Sequence, residues 1–297
     1  MAGAEEPLLV IVGPTASGKT ELAIELAERH NGEIISADSV QVYRYFDIGS
    51  GKPSAAERAR AEQHLIDVIE PNEPMDAARF AELAERAILD IRARGKQPIV
   101  CGGTFLWVRA LIHGLLPAPP ADPAIRARHQ TRVTEVGRAG LHQDLARVDP
   151  EAAQRLAPND FVRVSRALEV FELTSVRMSE WQAAHGFKGV RHAARLLGVR
   201  REKEELDQRI LARCQSMLRA GWVEEAEQLL SRGFADTRPF ASVGYKQVAL
   251  ALQTQKPIDI TELQLLIYRA TRIFARRQRT WLRDQPIDWL PPGSTKL

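Results

Sequence analysis

Gly13, Gly18, Lys19 and Thr20 stand in the pattern G-x-x-x-x-G-K-[ST], inside the stretch GPTASGKT. A loop of Gly13, Pro14, Thr15, Ala16, Ser17 and Gly18 can bring backbone N–H groups close around a phosphate, because its glycines carry no Cβ. Lys19 adds a point charge, and the Thr20 hydroxyl suits Mg²⁺. Asp38 follows the strand-like run EIISA. An aspartate there can cap a turn, hold a metal through water, or accept a proton as a general base. Thr104 follows Gly102-Gly103 after QPIVC. Two glycines at a strand end permit close approach to a ligand, although a plain strand-to-helix turn also uses them. No apolar run ends in the Asp-Asp or Asp-Glu of a mechanical NTPase, which favours small-molecule transfer chemistry.

These residues need elements to hold them. LLVIV (8–12) and QPIVC (97–101) read as buried strands, EIISA (33–37) as another strand and HLIDV (64–68) as a candidate short one. Between them, Lys19 to His30 and Ala77 to Arg94 carry apolar residues at helical spacing. Alternation of this kind predicts an α/β fold with a parallel sheet flanked by helices. In such a sheet, ligands sit beyond the carboxyl ends of the strands, where Lys19, Asp38 and Thr104 all fall. LPAPPADP (116–123) breaks the pattern, and residues 124–190 show no strand. The expected division is a P-loop core over 1–117, an α-helical insertion domain over 118–194, and a return to the core over 195–297. RLLGV (195–199) and IDWL (287–290) supply its last strands.

Charge distribution points to a polyanion. The formal net charge is only +3, but the pI is about 9.0. Residues 269–283 hold six arginines and no acid. Arg269, Arg272, Arg276, Arg279 and Arg283 step by three and four, which draws a basic stripe down one helix face, the footprint expected for a phosphate backbone. Ile267, Ala270, Phe274 and Trp281 are placed to dock another side of that helix. Arg209 and Arg213 share a face, as do Arg163 and Arg166 on a helix capped by Asn159 or Asp160. Such arginines are otherwise solvated or salt-bridged surface residues. The two cysteines form no metal or disulfide pattern, and no apolar run reaches membrane-spanning length. A cytoplasmic protein with no membrane association is expected, and nothing demands more than a monomer.

The chain resembles the tRNA dimethylallyltransferases, also called tRNA isopentenyltransferases. The resemblance runs in order through GPTASGKT, DSVQVYR, DIGSGKP, HLID, GGTFLW, PNDFVRVSRALEV, SVGYKQ and ARRQRTWLR. It departs where the family often reads D-I-G-T-A-K-P and G-G-T-G-L-Y. The resemblance implies transfer of a dimethylallyl group from dimethylallyl diphosphate to N6 of the adenosine at tRNA position 37, in tRNAs reading codons that begin with U. Mg²⁺ assists, and diphosphate leaves. On this reading Asp38 accepts the amine proton and Thr104 orients substrate or water. Gly13 to Thr20 and Arg213 hold the diphosphate. The anticodon stem-loop meets Asp38, Ser39, Val40, Gln41 and Thr104; Arg126; Val162, Arg163, Val164, Ser165 and Arg166; and Ala241, Ser242, Val243, Gly244, Tyr245 and Lys246. Arg272, Arg276 and Arg279 are expected to add phosphate contacts. A small-molecule kinase with ATP in the P-loop is the alternative, but it leaves the arginines without a task.

Overall fold

A computed structural model describes residues 6–186, 189–254 and 257–295. Strand β1 (Leu8–Val12) is buried along its whole length, as suits a strand with neighbours on both edges and helices on both faces. Helix α1 (Lys19–Arg29), β2 (Gly32–Ser36), α2 (Ala55–Arg60), β3 (Gln63–His64), α3 (Ala77–Ala93), β4 (Gln97–Gly102) and α4 (Phe105–His113) follow. Helices α5 (Pro123–Val148), α6 (Pro150–Arg155), α7 (Phe161–Thr174) and α8 (Met178–His185) come next. The chain then continues through β5 (Ala194–Val199), α9 (Lys203–Arg219), α10 (Trp222–Ser231), α11 (Tyr245–Gln253), α12 (Ile260–Leu282) and β6 (Ile287–Leu290).

The sheet is parallel throughout, in the order β3-β2-β4-β1-β5-β6. This order sets β2, β4 and β1 side by side, so the three strand ends that carry Asp38, Thr104 and the P-loop are neighbours. Leu22, Ala23, Leu26 and Ala27 of α1 pack on Ile11, Ile34, Ile99 and Leu197 on one face of the sheet. The expected strand over 64–68 shrinks to Gln63–His64, because Leu65 and Asp67 take left-handed φ of 62° and 59° and end the ladder.

Residues through Ile112 and from Arg191 onward form one compact unit, and His113–Val190 form a second. The proline-rich break therefore lies inside the insertion, where Leu116 and Ala118 pack on its core, rather than at the expected 117/118 boundary. That core is built from Leu141, Leu145, Val164, Leu168 and Val170. Gly137, at φ 72°, divides α5 into two helical segments.

Candidate active site

The stretch from Gly13 to Thr20 makes a loop at the head of α1. Gly18 is its N-cap at φ 97°, a region L side chains avoid, and it offers no side-chain cap. The first N–H groups of α1 are thus left without a side-chain acceptor at the dipole's positive end. Thr15, Ala16, Lys19 and Thr20 line a cleft of about 350 Å³. Two arginines from beyond β5 close around this loop, and a third stands beside it in the cleft. Arg201 Nε donates to the Ser17 carbonyl at 3.0 Å, and Arg209 Nε donates to the Ala16 carbonyl at 2.8 Å. Arg213 instead lines the cleft and reaches the Ser50 carbonyl at 3.4 Å. The shared face of Arg209 and Arg213 is thus split between shaping the loop and facing the ligand space.

Asp38 and Thr104 line the same cleft. Asp38 Oδ1 accepts from the N–H of Val40 at 2.9 Å and of Gln41 at 3.3 Å, so the turn-capping role is real. It occupies one oxygen only; among the described residues Oδ2 has no hydrogen-bond partner. Thr104 Oγ1 accepts from the Ser39 N–H at 3.0 Å, and its own N–H donates to the Ala37 carbonyl at 3.2 Å. Its hydroxyl proton remains free to donate.

Lys19 has no carboxylate within ion-pair distance among the described residues; its Nζ reaches the Pro14 carbonyl at 3.4 Å. Burial pulls its pKa below that of an ordinary lysine, and the Arg213 charge adds to this, partly opposed by Cys101 and Asp38. Arg213 is also lowered by burial, against the pull of Asp38. The cleft therefore holds two cations that make no ion pair among the described residues, although Asp38 lies near enough to favour both, an arrangement suited to an anionic ligand.

Gly49, Ser50, Gly51 and Pro53 form another wall, and the segment around them is held from behind. The Glu225 carboxylate accepts from three successive N–H groups, Asp47 at 3.0 Å, Ile48 at 2.7 Å and Gly49 at 3.3 Å. Tyr245 donates to the same carboxylate at 2.5 Å and accepts from the Gly49 N–H at 3.1 Å. Lys52, nearly buried, ties the Tyr43 carbonyl to Asp47 and Asp67. Gln41 is a wall residue as well. Its Nε2 donates to the Ser50 and Gly51 carbonyls, and its Oε1 accepts from Ser36 at 3.1 Å, so its amide is already engaged within the fold. Trp222, Met217, Ile210 and Phe274 give the cleft an apolar side that sequence motifs did not reveal.

Several residues expected at an RNA surface are placed otherwise. Val164 and Ser165 are buried in the insertion, and Ser165 Oγ pairs with His129 Nδ1 at 2.9 Å, so neither side chain can meet a ligand from there. Val162 and Arg163 are exposed on the same turn. Arg126 and Arg166 are drawn to the fully buried Glu169, Arg126 at 2.9 Å and Arg166 at 2.6 Å. Tyr245 is buried for the reason given above, and Gly244 packs under Trp222. Ala241, Ser242 and Val243 do line the cleft, and Lys246 is exposed. Arg272 is not a free member of the stripe, because Asp207 of α9 pairs with it at 2.7 Å. A sequence window without acids could not reveal an acid from another helix. Arg276, Arg279 and Arg283 have no carboxylate within ion-pair distance among the described residues, and they line a second hollow with Arg200 and Arg201. The docked face of α12 is Leu263, Ile267, Ala275, Gln278 and Leu282. Trp281 stacks on Phe105 at 4.8 Å as expected, whereas Phe274 is 40% exposed beside the cleft.

The oxygen donors of the cleft, Thr20 and Asp38, suit a hard cation such as Mg²⁺. The thiols do not compete. Burial pushes Cys101 up to about 11, and it also raises Cys214. Elsewhere Glu33, Glu62 and His64 come within metal-ligand reach of one another. Glu33, however, is already held by Arg94, Lys96 and His64, which outweigh its burial and keep its carboxyl well below the usual range.

A P-loop at the end of a central parallel strand, with a carboxylate and a hydroxyl on the two next strand ends, defines an α/β protein with a P-loop-like core. The family model described as IPP transferase matches residues 41–285. A tRNA dimethylallyltransferase of Sorangium cellulosum (strain So ce56) is 62% identical over 283 residues, covering 95% of this chain and 90% of that one. One from Anaeromyxobacter sp. (strain Fw109-5) is 47% identical over 286 residues, covering 96% and 94%. Among solved structures, the full-length tRNA isopentenylpyrophosphate transferase of Bacillus halodurans superposes with a TM-score of 0.70 at 36% identity, covering 97% and 90%. A eukaryotic dimethylallyltransferase described as acting on tRNA gives 0.80 at 26% identity, covering 96% and 73%. The chain belongs to the IPP transferase family. Among the described residues no helix is long and apolar enough to cross a membrane.

Proposed function

We propose that this chain transfers the dimethylallyl group of dimethylallyl diphosphate to N6 of the adenosine at position 37 in the anticodon loop of tRNAs reading codons that begin with U. The observation that carries it is the pair of cations without an ion-pair partner among the described residues, Lys19 and Arg213, in one cleft with the free oxygen of Asp38. A diphosphate meets both cations and the N–H groups at the head of α1. In the transfer, the N6–carbon bond forms as the carbon–oxygen bond to diphosphate breaks. The electron pair of the broken bond leaves with the diphosphate, and Lys19 and Arg213 stabilise that charge. The N6 proton passes to the free oxygen of Asp38, a contribution of about 10²–10⁴ for general-base catalysis. Thr104 donates its hydroxyl proton to substrate or a bridging water. Thr20 would hold Mg²⁺, which when bound supplies further neutralisation of the diphosphate.

Arg276, Arg279 and Arg283 give the tRNA backbone its exposed cations, with Arg163 and Lys246 as further contacts. A monomer acting in the cytoplasm is part of the same proposal. The test is direct: protein, unmodified tRNA, Mg²⁺ and labelled dimethylallyl diphosphate are mixed, and label is sought in the tRNA. Transfer to tRNAs with adenosine at position 37 is expected; no label in any such tRNA would reject the reading.

A further inference from the structure

Gln278 sits between Arg277 and Arg279 in the arginine-rich segment, yet its side chain points the other way and is buried. Its Oε1 accepts from the Thr15 N–H of the P-loop at 2.8 Å, and its Nε2 donates to the Gly103 carbonyl at 3.0 Å. One amide thus clamps the loop after β1 to the loop after β4. The approach is close enough to dictate the glycine: a Cβ on Gly103 would lie 2.5 Å from Nε2. Downstream of Gly103, Thr104 binds the Ala37 carbonyl and the Ser39 N–H, which flank Asp38. A chain of hydrogen bonds therefore runs from the P-loop through Gln278, Gly103 and Thr104 to the turn that carries Asp38.

We propose that Gln278 is a positioning residue, which fixes the distance between the phosphate cradle and the Asp38–Thr104 pair. The inference rests on the transfer reaction proposed above and adds a residue to it. The amide supplies an acceptor to one loop and a donor to the other. Gln278 borders the cleft but acts through Thr15 and Gly103 rather than on the reacting atoms, so its loss should leave each substrate able to bind while those atoms no longer line up. Misplacement of about 1 Å can cost about 10²-fold in rate.

The experiment compares wild type with Gln278→Met, which removes both bonds, and Gln278→Glu, which keeps the acceptor for Thr15 and loses the donor to Gly103. Both are checked for native circular dichroism. The expected result is a fall in kcat of about 10–100-fold for each variant. For Gln278→Met, affinities for inorganic diphosphate and for tRNA should stay within about 3-fold of wild type, because the cradle and the arginine face remain; Gln278→Glu, which sets a carboxylate beside the cleft, should weaken diphosphate binding but not tRNA binding. Combining Gln278→Met with Thr104→Ala should cost less than the product of the two single effects, since both act on one chain of hydrogen bonds. If Gln278→Met does not fold, Gln278→Asn, which keeps the neutral amide but shortens its reach, decides on the same readouts. A wild-type kcat in the folded variants, or in a neutral variant a kcat loss matched by equal loss of diphosphate affinity, overturns the inference. Failure of the wild-type protein to transfer any label would instead strike the proposed reaction, so the two failures are told apart by the wild-type control.

Discussion

The insertion and the cleft of the α/β unit both bury charge, but they treat it in opposite ways. In the insertion, Glu169 is fully buried, and Arg126, Arg166 and the Asp122 N–H converge on it. Burial alone would raise its carboxyl pKa, yet these partners hold it below the usual range. In the cleft, burial lowers Lys19 and Arg213, and no carboxylate pairs with either among the described residues. A buried charge that is answered holds a fold together; one left unanswered beside open space marks where a ligand supplies the missing charge. The same arginine type therefore means different things at 126 and 213.

The sharpest way to break this comparison is to remove one charge from each region. Lys19→Ala should reduce kcat/KM by about 10²–10³-fold, in steady-state transfer assays, while leaving thermal stability at or above wild type. Glu169→Ala should do the reverse. It should lower stability by about 2 kcal/mol in denaturant unfolding, with little change in turnover per folded molecule. Its depressed pKa gives the same contribution a pH signature: the stabilisation is present at neutral pH and is lost as pH falls through the acid range.

Smaller effects sharpen the picture. Replacing Arg276 and Arg279 together by Ala should weaken tRNA binding. It should also reduce the slope of log K against log salt by about one for each phosphate that is no longer neutralised. Arg126→Ala should change that slope less, because this guanidinium is already shared with Glu169. Smallest of all is the pH dependence of inorganic diphosphate binding. Burial makes the free protein's Lys19 give up its proton below the ordinary 10.5, whereas diphosphate requires the cation. Affinity should therefore decline as pH rises through that lowered value, with proton uptake on binding in the same window, as titration calorimetry in two buffers would report.

The fold and the three strand ends were legible because they are local. GPTASGKT, the apolar runs and the glycine pair each carry their meaning in consecutive residues, and the sheet order β2-β4-β1 then sets them together. What was not legible depends on partners distant in sequence. Asp207 quenching Arg272, Glu169 claiming Arg126 and Arg166, and Glu225 gathering the N–H groups of 47–49 all join residues from separate elements. Gln278 escaped for the same reason: its two bonds reach back 263 and 175 residues. The segment 162–166 was recognisable as a unit, but helical geometry turns Val164 and Ser165 inward while Val162 and Arg163 face out.

Asp38→Asn tests the central claim most directly. Asparagine keeps an oxygen to accept the Val40 and Gln41 N–H groups, so the turn survives, while the proton acceptor is lost. Single-turnover transfer and tRNA binding should be measured on the same preparation. With Asp38 as the general base, the rate falls by about 10²–10⁴-fold and tRNA affinity is unchanged. A wild-type rate, or a fall in rate no larger than the fall in tRNA affinity, would contradict it.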